Sequence, residues 1–465
     1  MMNNNNSMET KTDTITARST PGGEGAIAII RLSGLSSFEI IRRCFYPYKE
    51  PKVKFNYMTL GKFIDPQNGA VIDEVFVVLF ENPSSYTGED AAEIHCHGSP
   101  CVTSKIIETL CNMGARLAEP GEFTKRAFLN GKMDLTKAEA VCDLIRAQTE
   151  KAANLALKQL QGELYQKIKS VKDVIITVGS ELEARLDFPD EDTVIQNNEK
   201  VLKLLGETKG EIERLIHQGR NARIYRNGAR IAILGKPNTG KSSLFNVLLR
   251  MERAIVTPHP GTTRDSIECT VNLKGCPVTY IDTAGIHYTN NQVELLGIER
   301  ARKEISQADL NLILIDGSLP LTEEDFHIFQ IVAENPCILV LNKFDLDQRV
   351  QEKDMPDIKN KAICMVHTSA MKGYGIKALE TAIKDFLISE TGMEDSLVTN
   401  ERHLANLTKS RDALKNALDA LRKGVAEELV MVDLRESIHY LAIITGEETD
   451  DEILDKIFRR FCIGK

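Results

Sequence analysis

Residues Gly235–Ser242, GKPNTGKS, carry the types needed to enclose a phosphate chain. The spacing is G-x-x-x-x-G-K-S/T, and it directly follows ARIAIL, an apolar run that reads as a strand. Glycines let backbone N–H groups turn inward, Lys241 brings a point charge to the β- and γ-phosphates, and the Ser242 hydroxyl can bind Mg2+. SLFNVLL behind the loop reads as a helix whose positive end faces the anion. DTAG, Asp282–Gly285, closes a second strand and sets Asp282 to hold Mg2+ through water. NKFD, Asn342–Asp345, closes a third, and Asp345 can accept both N–H protons of a guanine edge, a pattern adenine does not offer. TSA, Thr368–Ala370, fits a loop that backs the base. The candidates for nucleotide contact are Asn238, Thr239, Gly240, Lys241, Ser242, Ser243, Asp282, Thr283, Ala284, Gly285, Asn342, Lys343, Asp345, Ser369 and Ala370.

In this order the stretches resemble the translation-factor-like class of P-loop GTPases, which implies GTP as the nucleotide. A Ras-type enzyme orients water with a glutamine after DTAG, but here that position is Ile286. The catalytic group must then lie elsewhere, and the charge an arginine finger neutralises needs another source. Asn238 and TPHPGTTRD, Thr257–Asp265, suggest a bound monovalent cation.

Three other stretches bear reactive groups. HCH, His95–His97, has alternating ligand types but no second cluster, so a structural role is preferred to a metal site. HQGRNARIYRNGAR, His217–Arg230, holds four Arg and no acid, and is either a solvated linker or a phosphate contact. CIGK, Cys462–Lys465, has its Cys at the position of a prenylation box.

The elements that must position these groups fall into three textures. Over the first 130 or so residues short β-like runs, GAIAIIRLSG, NYMTLGKFID, EVFVVLF and AAEIHCHG, alternate with turns and helical patches, as in an α+β domain. From about Thr136 an apolar stripe, Leu157, Leu160, Leu164, Ile168, Val171, Ile175, Val178 and Leu182, predicts one long helix, stopped by DFPDED. From Ala229 short, almost wholly apolar strands predict a parallel, doubly wound sheet. After about residue 390 the helical pattern resumes. The expected fold is multidomain: a disordered tail (1–7), an α+β domain (8–130), an all-α domain in two parts (131–225 and 388–465), and an inserted α/β P-loop domain (226–387).

Composition agrees with a globular chain. Its 465 residues suit about three domains, and 42% hydrophobic with 27% charged residues is ordinary for one. No apolar run reaches the length of a membrane span. The start has neither the basic nor the apolar region of a signal peptide, and with no Arg-rich transit peptide the expected location is bacterial cytoplasm. Ten Cys without a CxxC pair favour reduced thiols. A net charge of −9 argues against a generally basic nucleic-acid coat.

Asn238 and the TPHPGTTRD stretch resemble the tRNA modification GTPase family called MnmE or TrmE, and the likeness runs through nearly the whole chain. DTITARSTPGGEGAIAIIRLSG, YTGEDAAEIHCHGSP and PGEFTKRAFLNGKMDLTKAEAVCDLI resemble its N-terminal signatures, and FCIGK its terminus. The resemblance implies a tetrahydrofolate-binding N-terminal domain, similar in fold to that of the glycine-cleavage aminomethyl carrier enzyme, which also forms a homodimer. It implies 5,10-methylene- or 5-formyl-tetrahydrofolate as cofactor, contacted by Arg31, Glu93, Lys132 and Lys465. A carboxylate suits the amide-like edge of a pterin, and Lys or Arg suits a glutamate tail. The implied K+ ligands are Asn238, Thr257, His259 and Thr262, the last three mostly through backbone oxygens. Ser242 and Thr263 are the implied Mg2+ ligands, with Pro258, Pro260 and Gly261 beside the nucleotide. Glu294, in QVELLGIERAR, matches the family's catalytic glutamate, although on its own it reads as a solvated helix carboxylate. His287 stands where some relatives have Arg, and the polar N-terminal extension matches nothing. The implied activity is a K+-dependent GTPase that works with an FAD-dependent partner of the MnmG or GidA type, in a heterotetramer or larger assembly. Together they would add a (carboxymethyl)aminomethyl group to C5 of the wobble uridine of certain tRNAs, using a folate one-carbon unit.

A ribosome-assembly GTPase of the Era or Der type shares the nucleotide motifs and is the alternative, but it needs neither the long segment ahead of the loop nor FCIGK. A dynamin-like membrane remodeller needs a basic amphipathic or lipidated segment, which only CIGK could supply. Its final Lys fits the usual prenylation classes poorly, and processing would remove Lys465. No stable membrane anchor is expected. The preferred reading is a tether that carries Cys462 and Lys465 into the folate site, with Cys462 as nucleophile, acid–base group or neither.

Overall fold

The computed structural model describes residues 13–49, 54–187, 198–251, 268–273, 275–282, 305–332, 335–350, 354–355, 361–387 and 397–465. The strands are β1 (Ile15–Arg18), β2 (Gly25–Ser33), β3 (Phe45–Pro47), β4 (Thr59–Ile64), β5 (Val71–Phe80), β6 (Ala91–Gly98), β7 (Arg116–Leu117), β8 (Ala229–Leu234), β9 (Glu268–Leu273), β10 (Cys276–Asp282), β11 (Leu310–Asp316), β12 (Cys337–Asn342) and β13 (Cys364–His367). The helices are α1 (Ser37–Cys44), α2 (Pro100–Asn112), α3 (Glu122–Leu129), α4 (Leu135–Arg146), α5 (Glu150–Leu160), α6 (Glu163–Asp187), α7 (Asn198–Asn227), α8 (Lys241–Met251), α9 (Glu323–Val332), α10 (Ile376–Leu387), α11 (Glu401–Arg422), α12 (Glu427–Thr445) and α13 (Asp451–Phe458). By contact the chain divides into two units, residues 1–142 with 442–465, and residues 143–441. The stretch 442–465 thus belongs with the first unit rather than with the helices that precede it.

The first unit is built on a seven-stranded sheet of order β3-β4-β5-β6-β2-β1-β7. Its neighbours are antiparallel except β1 and β7. The two-residue period sends Ala28, Ile30 and Leu32 of β2, with Ala92, Ile94 and Cys96 of β6, into a core shared with α1 and α2. The same period leaves Arg31, Glu93 and His95 on the other face. The β2–β6 register sets Arg31 opposite Glu93. Leu135, Ala138, Leu454, Phe458 and Phe461 form a second cluster, which seats α13 against α3 and α4.

In the second unit the predicted long helix is interrupted. Thr149 caps α5 by accepting from Ala152 N at 3.1 Å, and Gly162 follows α5 in a left-handed conformation at φ 91°. Leu157 of the predicted stripe is consequently 42% exposed, whereas Leu164 through Leu182 on α6 line the interior. The basic stretch is not a linker: α7 runs through it to Asn227 and stops at Gly228, φ 73°. The sheet of this unit has the order β13-β12-β11-β8-β10-β9, parallel except at β9. Every residue of β11 and β12 is buried, as strands covered on both faces must be. Sites in such sheets form beyond the carboxyl ends of the strands. No described helix is long and apolar enough to cross a membrane.

Candidate functional site

β8 delivers the chain into GKPNTGKS at Leu234. Gly235 sits at φ 153°, where a Cβ would meet Leu314 O at 2.6 Å. Gly240, at φ 98°, lies so close to the Asn342 amide that a side chain would strike it. Asn238 takes φ 64°, a left-handed conformation asparagine tolerates, and the residue is exposed. Lys241 Nζ donates to Gly235 O at 2.7 Å and to Lys236 O at 2.8 Å, resting on the loop whose phosphates it would serve. Ser242 and Ser243 are exposed in the first turn of α8, so the Ser242 hydroxyl can reach a Mg2+ ion. Asp282 ends β10 in register with Ile233 of β8, beside the loop.

The segments expected to read the base converge on Asn342. Its Nδ2 donates to Thr239 O at 2.8 Å, while its Oδ1 accepts from Ala370 N at 3.0 Å and Thr368 Oγ1 at 3.3 Å. One buried amide therefore joins the phosphate loop, the β12 end and the loop after β13. Lys343, at φ 63°, donates to Asp316 Oδ2 at 2.6 Å. Burial opposes ionisation of Asp316, but Lys343 and Ser318 outweigh it and hold its carboxyl below the usual range. Asp345 is exposed, and the Ser369 hydroxyl beside it lowers its pKa, so it is an ionised acceptor at neutral pH.

The first unit holds a separate polar cluster. Arg31 donates to Glu93 Oε1 through Nη2 at 2.7 Å and Nε at 3.0 Å, and His95 Nε2 lies 3.6 Å from Glu93 Oε2. The His95 imidazole, with help from Arg31 and against burial, pulls Glu93 down to about 2. The guanidinium stands 5.2 Å from the Tyr86 ring centre and 5.7 Å from that of Phe123. Arg31 Nη1 is buried without a hydrogen-bond partner. Lys465 reaches the field of this pair: burial and Arg31 lower its pKa, and Glu93 opposes them. Its approach is set by Gly464, whose φ of 91° and contact with Arg18 O leave no room for a Cβ, and whose carbonyl accepts from Ser19 Oγ at 3.2 Å. Gly121 N donates to Cys462 O at 3.4 Å, and the Cys462 thiol is exposed. An orphaned guanidinium donor, an ionised carboxylate and a lysine could hold a ligand that offers both an acceptor and an N–H edge.

Arg31, Glu93 and Lys465 are thus brought together. Lys132 stands instead against the loop that carries Tyr86, donating to Pro83 O at 2.8 Å. Cys96 faces the core and bonds Ala28 O at 3.5 Å, whereas His95 and His97 face away, His97 Nδ1 lying 2.7 Å from Asp73 Oδ1. The three cannot close on one metal, and no group that could hold one occurs among the described residues. Thr257, Pro258, His259, Pro260, Gly261, Thr262, Thr263, Thr283, Ala284, Gly285, Ile286, His287 and Glu294 lie outside the described residues, as does the Asp282 side chain. Tyr86 and Phe123 lie inside the signature stretches YTGEDAAEIHCHGSP and PGEFTKRAFLNGKMDLTKAEAVCDLI, but sequence reasoning gave neither a role; Asp316 stands in no motif, and for all three the part played comes from the fold.

Residues 14–132 match the family model described as GTP-binding protein TrmE N-terminus, and residues 135–462 that described as MnmE helical domain. The chain is 44% identical to the tRNA modification GTPase MnmE of Thermoanaerobacter sp. (strain X514), over 97% of its length and 99% of that protein. To the tRNA modification GTPase MnmE of Natranaerobius thermophilus it is 42% identical, with the same coverage of each chain. Among solved structures, Aquifex aeolicus Era bound to GDP.AlF4- is 28% identical and covers 40% of this chain and 66% of its own, at a TM-score of 0.28, too low to carry weight.

Proposed function

The chain belongs to the MnmE family of tRNA modification GTPases, and from that premise we propose that it hydrolyses GTP in the service of tRNA wobble-uridine modification. Asn342 gives the strongest support, because it welds the phosphate loop to the loops on either side of the base and leaves Asp345 ionised at the mouth. Asp345 would accept the guanine N–H pair. Lys241 would leave its two carbonyl rests for the phosphates, with the α8 N-terminus behind it. Ser242 and Thr263 would hold Mg2+, while Asn238, Thr257, His259 and Thr262 would hold K+. A cation held there would supply positive charge to offset the negative charge of the phosphates during hydrolysis. Glu294 would orient the water that attacks the γ-phosphorus.

The Arg31–Glu93–Lys465 cluster suits a reduced folate, with Glu93 toward the N–H edge of the pterin and the unpartnered Arg31 Nη1 toward an acceptor. Bound there, tetrahydrofolate would supply the one-carbon unit. Cys462, whose thiol is exposed, stands three residues ahead of Lys465 and would lie near the bound folate. The first unit would form a homodimer, and an FAD-dependent MnmG-type enzyme would share the tRNA. The deciding test is mass analysis of wobble uridines in tRNA from cells lacking this protein. Loss of the carboxymethylaminomethyl group, restored by the wild-type gene, is expected; a full complement of modified uridine would overturn the proposal.

A further inference from the structure

Lys236 occupies a position that the phosphate-loop pattern leaves open to any residue. Its ammonium lies 2.6 Å from Asp325 Oδ2 and 2.9 Å from Thr322 Oγ1. The side chains of Lys236 and Asp325 are only 16% and 3% exposed. Asp325 sits in the first turn of α9, and the same Oδ2 accepts from Thr322 N at 2.9 Å and Thr322 Oγ1 at 3.1 Å. This is capping-box spacing, with the N3 carboxylate reaching back to the residue ahead of the helix. The ion pair is thus anchored in a turn that is itself hydrogen-bonded.

The main chain of Lys236 is committed as well. Its carbonyl accepts from Lys241 Nζ at 2.8 Å, Thr239 Oγ1 at 2.9 Å and Thr239 N at 3.4 Å. The curl of the loop is organised around this one peptide, while Pro237 and Asn238, which follow it, are exposed.

We propose that Lys236 is a positioning residue for nucleotide binding: through its ion pair with Asp325 it holds this peptide, and hence the inward-turned N–H groups, in the form that receives phosphates. The inference rests on the GTP-binding function proposed above. A loop held in shape during folding does not have to be ordered by its ligand. Both GDP and GTP present phosphates to the same loop, so the effect is uniform binding, visible in Kd and KM rather than in kcat.

The test uses the full chain, with titration of a fluorescent GDP, steady-state GTP hydrolysis and thermal melting. Lys236→Ala and Asp325→Ala should each weaken GDP binding and raise KM for GTP by about tenfold, the scale of one charge-assisted hydrogen bond, with kcat changing less than about twofold. The double variant should be no worse than either single one, because the pair acts as a unit. Lys236→Arg, which can still engage the carboxylate, should recover most of the affinity. If Asp325→Ala fails to fold, Asp325→Asn keeps an acceptor for the cap and should still lose affinity. Lys236→Ala binding GDP as tightly as wild type, or Lys236→Arg binding as weakly as Lys236→Ala, would overturn the proposal. So would a loss in kcat with KM unchanged. A wild-type chain that binds no guanine nucleotide would sink the GTPase proposal and this one together, whereas normal wild-type binding with unaffected variants removes this one alone.

Discussion

Asp345 and Glu93 are both carboxylates held in the ionised form, by different surroundings. Asp345 is exposed and depends on the neighbouring Ser369 hydroxyl. Asp345→Asn should weaken GTP binding by about a hundredfold or more, because a site built around a polar edge rejects ligands that mispair with it. The same variant should gain affinity for xanthosine triphosphate, and competition binding reads both. Glu93 depends on His95 and Arg31, which carry it from 4.5 down to about 2. A carboxylate with a depressed folded pKa adds stability above its unfolded pKa and loses it as the pH falls through the folded one. A shift of that size corresponds to about 3 kcal/mol at most, and partial exposure of the pair brings it to about 1–2 kcal/mol. Glu93→Gln should therefore be less stable by a constant amount from pH 7 to about 5, and the gap should close as the pH drops from about 4.5 toward 2. Denaturant titrations at several pH values measure it.

At the scale of elements, β9 and β10 join two stretches singled out for nucleotide chemistry, since β9 follows TPHPGTTRD and β10 ends at Asp282. The hairpin tip is held from outside the sheet. Thr149 Oγ1 donates to Gly275 O at 2.9 Å while it caps α5, and Lys151 lies over the same glycine. Thr149→Ala removes both bonds and should cost about 1–2 kcal/mol by denaturation, with Thr149→Ser close to wild type. A second element-level contact is made at Gly464. Its backbone conformation and the closeness of Arg18 O exclude a side chain, so Gly464→Val should displace Lys465 from the Arg31–Glu93 pair. Reduced-folate retention is expected to fall while GDP affinity holds. Equal folate binding would mean that Lys465 is a bystander. The Thr149 contacts could not be read from the sequence: the stripe from Leu157 predicted one continuous helix, whereas the Thr149 cap and Gly162 bound α5 as a helix of its own.

At the scale of the whole molecule, the proposed function combines a homodimer with a K+ ion that supports hydrolysis. Replacing K+ by Na+ should cut the hydrolysis rate by about tenfold or more, since in this proposal the cation takes the part an arginine finger plays in other GTPases. The rate per chain should also rise with protein concentration until dimers saturate. Equal rates in both salts would remove the cation from the mechanism.

The sequence by itself determined the nucleotide chemistry, because phosphate and guanine recognition rest on short runs of consecutive residues at strand ends. A loop of eight positions carries its own glycines, lysine and hydroxyl, and needs only a strand before it and a helix after it. Resemblance marked Arg31, Glu93 and Lys465, but the types alone did not say whether the three lie together. That was decided by tertiary structure: strand register set Arg31 across from Glu93, 62 residues away, and the fold brought Gly464 to Ser19 over a separation of 445. The same holds for Lys236 and its anchor 86 residues on at Thr322. A local pattern exposes chemistry that acts through adjacent backbone. Chemistry that depends on an unpartnered donor or a buried ion pair exists only once distant segments exclude water together.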